Sequence, residues 1–280
     1  MKVAILIGFG YTEQESKMRI PGILIDLHRS YEFAKRMEAL KVLVFTDYQR
    51  NQKSYPIKEQ LRNGELDAET LFFITNLKFQ EQYHNYNSLE SFKDQIERVT
   101  LGVSRLFIYY SGHAERGLIV LPKANREIDR ISLPQLLSIC VNKAHPQAEV
   151  FSIVDCCQSD GMGMSFKMIP GDEWYQYQKV YDLYKQGREI ICLSSGNEEE
   201  FSETRIGGSQ FTALLYELLN KKLYWPIGQL LKELKEGGYE NTPVVTSSDP
   251  HLMELWRWTL SSTRLSISFD YLDQTILVKK

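Results

Sequence analysis

The chain has 280 residues, with 33 basic and 36 acidic side chains and a formal net charge of −3. That balance excludes a broad cationic nucleic-acid-binding face as the main theme, and 43% hydrophobic content with 12% aromatics excludes a disordered chain. No apolar run approaches the ~18 residues of a membrane span, and the first residues lack a signal peptide's apolar core and cleavage site. Four cysteines, two of them adjacent, suit neither a disulfide framework nor a zinc site, so a reduced, cytoplasmic setting is expected.

In chain order, five apolar runs read as strands: Lys2–Gly8, Lys41–Thr46, Arg105–Ser111, Glu149–Asp155 and Glu189–Ser195. Each is rich in β-branched or aromatic residues and apolar almost throughout, the pattern of parallel strands covered on both faces. Helical periodicity lies between and after them, over residues 25–37, Ser88–Val99, Leu133–Val141, Phe211–Leu219 and Ile227–Leu234. Strand alternating with helix predicts an α/β fold with a mostly parallel central sheet and helices on both faces. Two stretches break the rhythm. Residues 48–87 are polar, with room for a short helix and an extra strand near 71–75. Residues 158–188 form a long connection between two core strands, a feature that is often functional. The tail predicts a terminal β-hairpin, Arg264–Phe269 with Thr275–Val278.

In such a sheet, sites form beyond the carboxyl ends of the strands. Ser111-Gly112-His113 follows one strand, and Asp155-Cys156-Cys157-Gln158-Ser159 follows another, one crossover helix later. A histidine and a cysteine at neighbouring strand ends suit a dyad in which imidazole takes the thiol proton and thiolate attacks a carbonyl carbon. His28, His84, His145 and His251 have no such cysteine after a nearby strand.

Tyr109-Tyr110-Ser111-Gly112-His113-Ala114 resembles the YSGHG motif of caspase-like peptidases, and Asp155-Cys156-Cys157-Gln158-Ser159 resembles the DCCHSG motif of metacaspases and the Asp-x-Cys of paracaspases. Residues 195–203 and Gly208-Ser209-Gln210-Phe211-Thr212 resemble the acidic loop and G-x-FT element that follow in both groups. Residues 20–26 match the spacing of the metacaspase LRGCxND segment, with only Gly22 and Asp26 agreeing. The resemblance runs from about Val3 to Leu219. It implies a caspase-like peptidase domain over residues 1–258, with 158–188 as an inter-subunit type of linker and 259–280 as a hairpin extension.

The resemblance further implies that Cys157 is the nucleophile, Cys156 a packing residue and His113 the general acid–base. The oxyanion would rest on the N–H groups of Cys157 and Ala114. Ala114 replaces the family's glycine, which is harmless unless the site needs a positive φ. Gln158 stands where metacaspases have histidine. By the same resemblance Asp26, Asp155 and Glu203 line the primary pocket, and three carboxylates there would favour Arg or Lys over an acidic side chain. The implied activity is therefore a cysteine endopeptidase cutting proteins or peptides after Arg or Lys, with processing and programmed cell death as family themes. A catalytically weak or inactive decoy or scaffold is the alternative. The linker carries Lys167, Lys179, Lys185 and Arg188, with Lys179 or Lys185 expected as a self-cleavage site.

The acid run Glu198–Glu200 raises a calcium site, since some metacaspases need Ca²⁺, but it lacks EF-hand spacing. No resident cofactor or metal is expected. Neither a nucleic acid nor a membrane is an expected partner, and a monomer or a homodimer through an edge strand stays open. Gly161-Met162-Gly163 lacks the third glycine and the βα turn of a phosphate loop, and no nucleophile elbow suggests a serine hydrolase.

Overall fold

The computed structural model describes residues 1–48, 70, 72–73, 83–115, 117–123, 126–159, 164, 166–171, 175–176, 189–197, 200, 204–205, 207–222 and 225–248. In chain order the elements begin with β1 (Lys2–Gly8), a 3-10 turn (Ser16–Met18), α1 (Ile23–Arg36), β2 (Lys41–Phe45), β3 (Tyr83–His84), α2 (Leu89–Thr100) and β4 (Arg105–Ser111). Then come β5 (Ala114–Glu115), β6 (Leu118–Pro122), β7 (Ile128–Ser132), α3 (Leu133–Val141), β8 (Glu149–Asp155), β9 (Phe166–Met168) and β10 (Tyr175–Gln176). The last are β11 (Glu189–Ser194), β12 (Thr204–Arg205), β13 (Gly208–Ser209), α4 (Gln210–Lys221), α5 (Ile227–Glu236) and β14 (Val244–Ser247).

Among the described residues, nine strands form the main sheet in the order β10-β9-β14-β11-β8-β4-β1-β2-β3. The six from β11 to β3 pair in parallel, and β14, β9 and β10 add antiparallel pairs at one edge. After their first residue, β1, β4, β8 and β11 are buried throughout, as strands covered on both faces must be. The helices form two groups: α1 packs with α4 and α4 with α5, while α2 packs with α3, and both α1 and α2 lie against β1. Right-handed crossovers run in opposite directions from β1 to β2 and from β3 to β4, which puts these groups on opposite faces. The expected α/β class, with its mostly parallel sheet and helices on both faces, is thus observed.

Local chemistry explains the helix starts. Ser132 and Gln135 form a reciprocal capping box at α3, with Pro134 in its first turn. Ser88 caps α2 by accepting the Ser91 amide at 3.2 Å, and Ser209 does the same for the Thr212 amide at α4.

Three expectations change. Residues 70, 72 and 73 are helical, and the extra strand is β3, ten residues later. Phe73 explains the preference: it packs on the His28 and Tyr31 rings of α1 at 5.0 and 5.2 Å, so it serves a helix-on-helix contact and not a strand pair. The long connection after β8 contributes β9 and β10 to the sheet edge, and Lys167 is buried within β9, where it cannot serve as an accessible basic residue. Lys179, Lys185 and Arg188, and the expected hairpin extension 259–280, lie outside the described residues. A small antiparallel sheet, β5-β6-β7, directly follows His113. It went unread because its strands are short and are punctuated by the tight turn at Gly117, whose φ is +75°.

Candidate active site

The β4–β8 register pairs Ser111 with Asp155. The Gly112 amide then donates to the Asp155 carbonyl at 3.3 Å, extending the pairing by one step. His113 and Cys157 each lie two residues beyond that matched pair, past the ends of neighbouring parallel strands. This register puts the segments that carry His113 and Cys157 at the carboxyl edge of the sheet, beyond adjacent strands.

His113 is gripped at ring and backbone. Its Nε2 lies 2.7 Å from the Met18 carbonyl oxygen. A carbonyl can only accept, so Nε2 carries the proton and Nδ1 of the neutral ring keeps its lone pair. Burial lowers the imidazole's pKa, and the bond to Met18 works in the other direction. The His113 amide donates to the Tyr11 hydroxyl at 2.7 Å, and the Tyr110 hydroxyl donates to the His113 carbonyl at 2.8 Å. A Cβ at Gly112 would stand 2.8 Å from the Tyr11 hydroxyl and 2.9 Å from that of Tyr110, so glycine is required between them. Ala114 sits in β5 opposite Ile119. Among the described non-glycine residues only Tyr11, Glu38, Arg126 and Gln158 have positive φ, so alanine at 114 meets no backbone strain.

The two cysteines differ. Cys156 is 2% exposed, and its thiol is pushed well above the usual range by burial first, then by Asp155, Cys157 and Cys192. Cys157 is half-buried. The turn that carries it is tied to the end of β11 by serines: Ser195 Oγ donates to the Cys156 carbonyl at 3.2 Å and Ser194 Oγ to that of Ser159 at 3.1 Å. The Gly196 amide donates to Ser159 Oγ at 3.0 Å. The Gln158 amide donates to the Glu200 carbonyl at 2.9 Å, and Gln158 takes the left-handed conformation, φ 53°.

Glu200 closes the same loop. Its carboxylate accepts the Asn197 amide at 3.0 Å and the Thr242 amide and hydroxyl at 2.9 Å each. Partial burial opposes ionisation, yet these bonds bring its pKa below the usual value. The Glu200 oxygens thus tie loop segments together, while Glu198 and Glu199 lie outside the described residues. Among the described residues no cluster of three His, Cys, Asp or Glu side chains suits a metal.

Asp26 and Asp155 lie close enough to interact electrostatically, but Asp26 is fully buried and Asp155 is 3% exposed. Asp26 Oδ2 accepts the Ser209 amide at 2.8 Å, and Oδ1 meets the Arg29 guanidinium at 3.2 Å. Arg29 also donates to the Gly207 carbonyl at 3.2 Å. Burial raises the Asp26 pKa well above the usual range, and Asp155 adds to this, with Arg29 and the Ser209 amide opposing. Asp155 Oδ2 accepts the Thr212 hydroxyl at 2.6 Å, and that hydroxyl also meets the Tyr109 hydroxyl at 3.0 Å. Glu203, the third expected pocket acid, lies outside the described residues. The sequence reading did not single out Tyr11, Met18, Arg29 or Thr212. Only Thr212 carried a signal, as the last residue of the G-x-FT element.

No protein-family model and no curated protein sequence matches the chain. Among solved structures, a structural-genomics protein of Geobacter sulfurreducens superposes with a TM-score of 0.54 at 12% identity, covering 93% of this chain and 99% of that one. Caspase-1 of Spodoptera frugiperda superposes with a TM-score of 0.47 at 14% identity, covering 84% and 75%. The first likeness shows a shared fold over nearly the whole of both chains. No described helix is long and apolar enough to cross a membrane.

Proposed function

We propose that the chain is a caspase-like cysteine endopeptidase of metacaspase or paracaspase type, with a His113–Cys157 dyad, cutting protein substrates after Arg or Lys. The observation that carries this reading is the Ser111–Asp155 register, which sets His113 and Cys157 at matched positions beyond adjacent strands. The Nε2–H tautomer held by Met18 leaves Nδ1 as the base that takes the Cys157 proton. The thiolate attacks the scissile carbonyl, and the developing oxyanion rests on the N–H groups of Cys157 and Ala114. His113 returns the proton to the leaving amine, and water then releases the thioacyl enzyme with His113 again as base. The basic primary specificity rests on the sequence resemblance at Asp26, Asp155 and Glu203. The burial of Cys156 supports Cys157 as the nucleophile.

A second reading, a weak or inactive scaffold, draws on one observation: both oxygens of Asp26 already have partners within the chain. Turnover of fluorogenic peptides ending in Arg, Lys or Asp separates the two. The peptidase reading expects cleavage after Arg or Lys, loss in Cys157→Ala by several orders of magnitude, and retention in Cys156→Ala. No turnover of any peptide favours the scaffold, and efficient cleavage after Asp overturns the specificity.

A further inference from the structure

We propose that Tyr11, latched by Asp47, is the positioning residue that sets the place and protonation behaviour of His113. The inference rests on the peptidase reading only for its turnover consequences. Tyr11 has φ 54°, a left-handed conformation that is uncommon for a large non-glycine residue and persists only where the surroundings hold it. Asp47, two residues beyond the end of β2 and 1% exposed, supplies that hold from both sides. Its Oδ1 accepts the Gly10 amide and its Oδ2 the Thr12 amide, each at 2.8 Å. The Tyr11 carbonyl accepts the Gln14 amide at 3.0 Å, and the Gly10 carbonyl accepts the Ile20 amide at 3.1 Å. The loop is therefore closed around Tyr11, and the same loop ends at Met18, whose carbonyl fixes the His113 ring.

The consequence lies at the hydroxyl. Tyr11 is fully buried. Its hydroxyl donates to the Val120 carbonyl at 2.8 Å and accepts the His113 amide at 2.7 Å. Its ring also packs on the imidazole, with centroids 4.5 Å apart and planes at 44°. One side chain thus fixes the backbone and one face of His113, while Met18 fixes the ring nitrogen. A residue needed only for core packing would not require a strained backbone, two amide clamps and a fully used hydroxyl, all beside one histidine.

The test is Tyr11→Phe, which keeps the ring and deletes the hydroxyl, with Asp47→Asn as a second, remote variant. The His113 ring resonances of isotope-labelled protein, assigned with His113→Gln, are titrated by NMR beside peptide turnover. In Tyr11→Phe the imidazole pKa should rise toward the ordinary histidine value as the ring loosens into solvent. Turnover should fall roughly 10- to 100-fold, mainly in kcat. Asp47→Asn should move both in the same direction by less. Tyr86→Phe, which loses a part-buried bond to Asp129 elsewhere, should lower thermal stability and leave the His113 titration unmoved. A Tyr11→Phe protein that is destabilised like Tyr86→Phe, with His113 titration and kcat unchanged, overturns the inference. If Tyr11→Phe does not fold, an unshifted His113 in Asp47→Asn overturns it equally. If the unmodified protein cleaves no peptide, the peptidase reading falls, and the His113 titration still decides the role of Tyr11.

Discussion

Replacing Gly112 by alanine probes the histidine grip from its centre. Gly112 is absent from the positive-φ glycines, so alanine adds no backbone strain and its whole effect is steric. The new Cβ would lie 2.8 Å from the Tyr11 hydroxyl, 2.9 Å from the Tyr110 hydroxyl and 3.3 Å from Tyr110 Cζ, against ordinary contacts of about 3.5 Å. Both tyrosines are fully buried and cannot swing into solvent, so their hydroxyls must leave the His113 amide and carbonyl. A buried hydrogen bond is worth about 1 kcal/mol net, and an orphaned partner costs about 1–3 kcal/mol. The expected destabilisation is therefore about 2–4 kcal/mol, read as a lower urea midpoint with unchanged slope. Tyr11→Phe removes one of the two colliding atoms, so Gly112→Ala should cost about 1 kcal/mol less in that background, a coupling a double-mutant cycle resolves. A cost below about 0.5 kcal/mol, or an equal cost in both backgrounds, would refute the steric argument.

Thr212→Val keeps shape but takes a 2.6 Å donor from Asp155 and a partner from the buried Tyr109 hydroxyl. It should cost about 2–4 kcal/mol in chemical denaturation, from a charge-assisted bond and an orphaned hydroxyl, and a near-neutral result would mean the network does not hold Asp155. Burial lowers the His113 pKa and the neutral ring is the base, so the acid limb of kcat/KM should lie below the ordinary value of about 6.5. The unfolded chain binds this proton more readily than the folded one. His113 thus costs stability as pH falls through its unfolded value, and the cost is complete below its folded value. An acid limb at or above about 6.5 would contradict the burial argument.

The sequence was most legible where one physical signal dominates. Runs apolar almost throughout marked β1, β4, β8 and β11 almost to the residue, because burial on both faces leaves few polar positions. The ends of β4 and β8 located His113 and the cysteine pair, because the carboxyl edge of a parallel sheet is where sites form. What holds those groups was not legible. Met18 acts through a backbone carbonyl, which has no residue signature. Tyr11 looks like any aromatic in a loop, and its left-handed backbone depends on Asp47, 36 residues away in the chain. The motif spacing that suggests Asp26 as a pocket acid says nothing of Ser209 and Arg29, which contact both of its oxygens. Those contacts depend on how β13 meets α1, which no local pattern encodes.

Covalent labelling tests the central claim most directly. The unmodified protein is treated with a peptidyl-arginine chloromethyl ketone and the adduct is located by peptide mass mapping. The account predicts a single adduct on Cys157, absent in Cys157→Ala and strongly slowed in His113→Ala, with Cys156 unmodified. An adduct on Cys156, or labelling of Cys157 that is indifferent to His113, would contradict it.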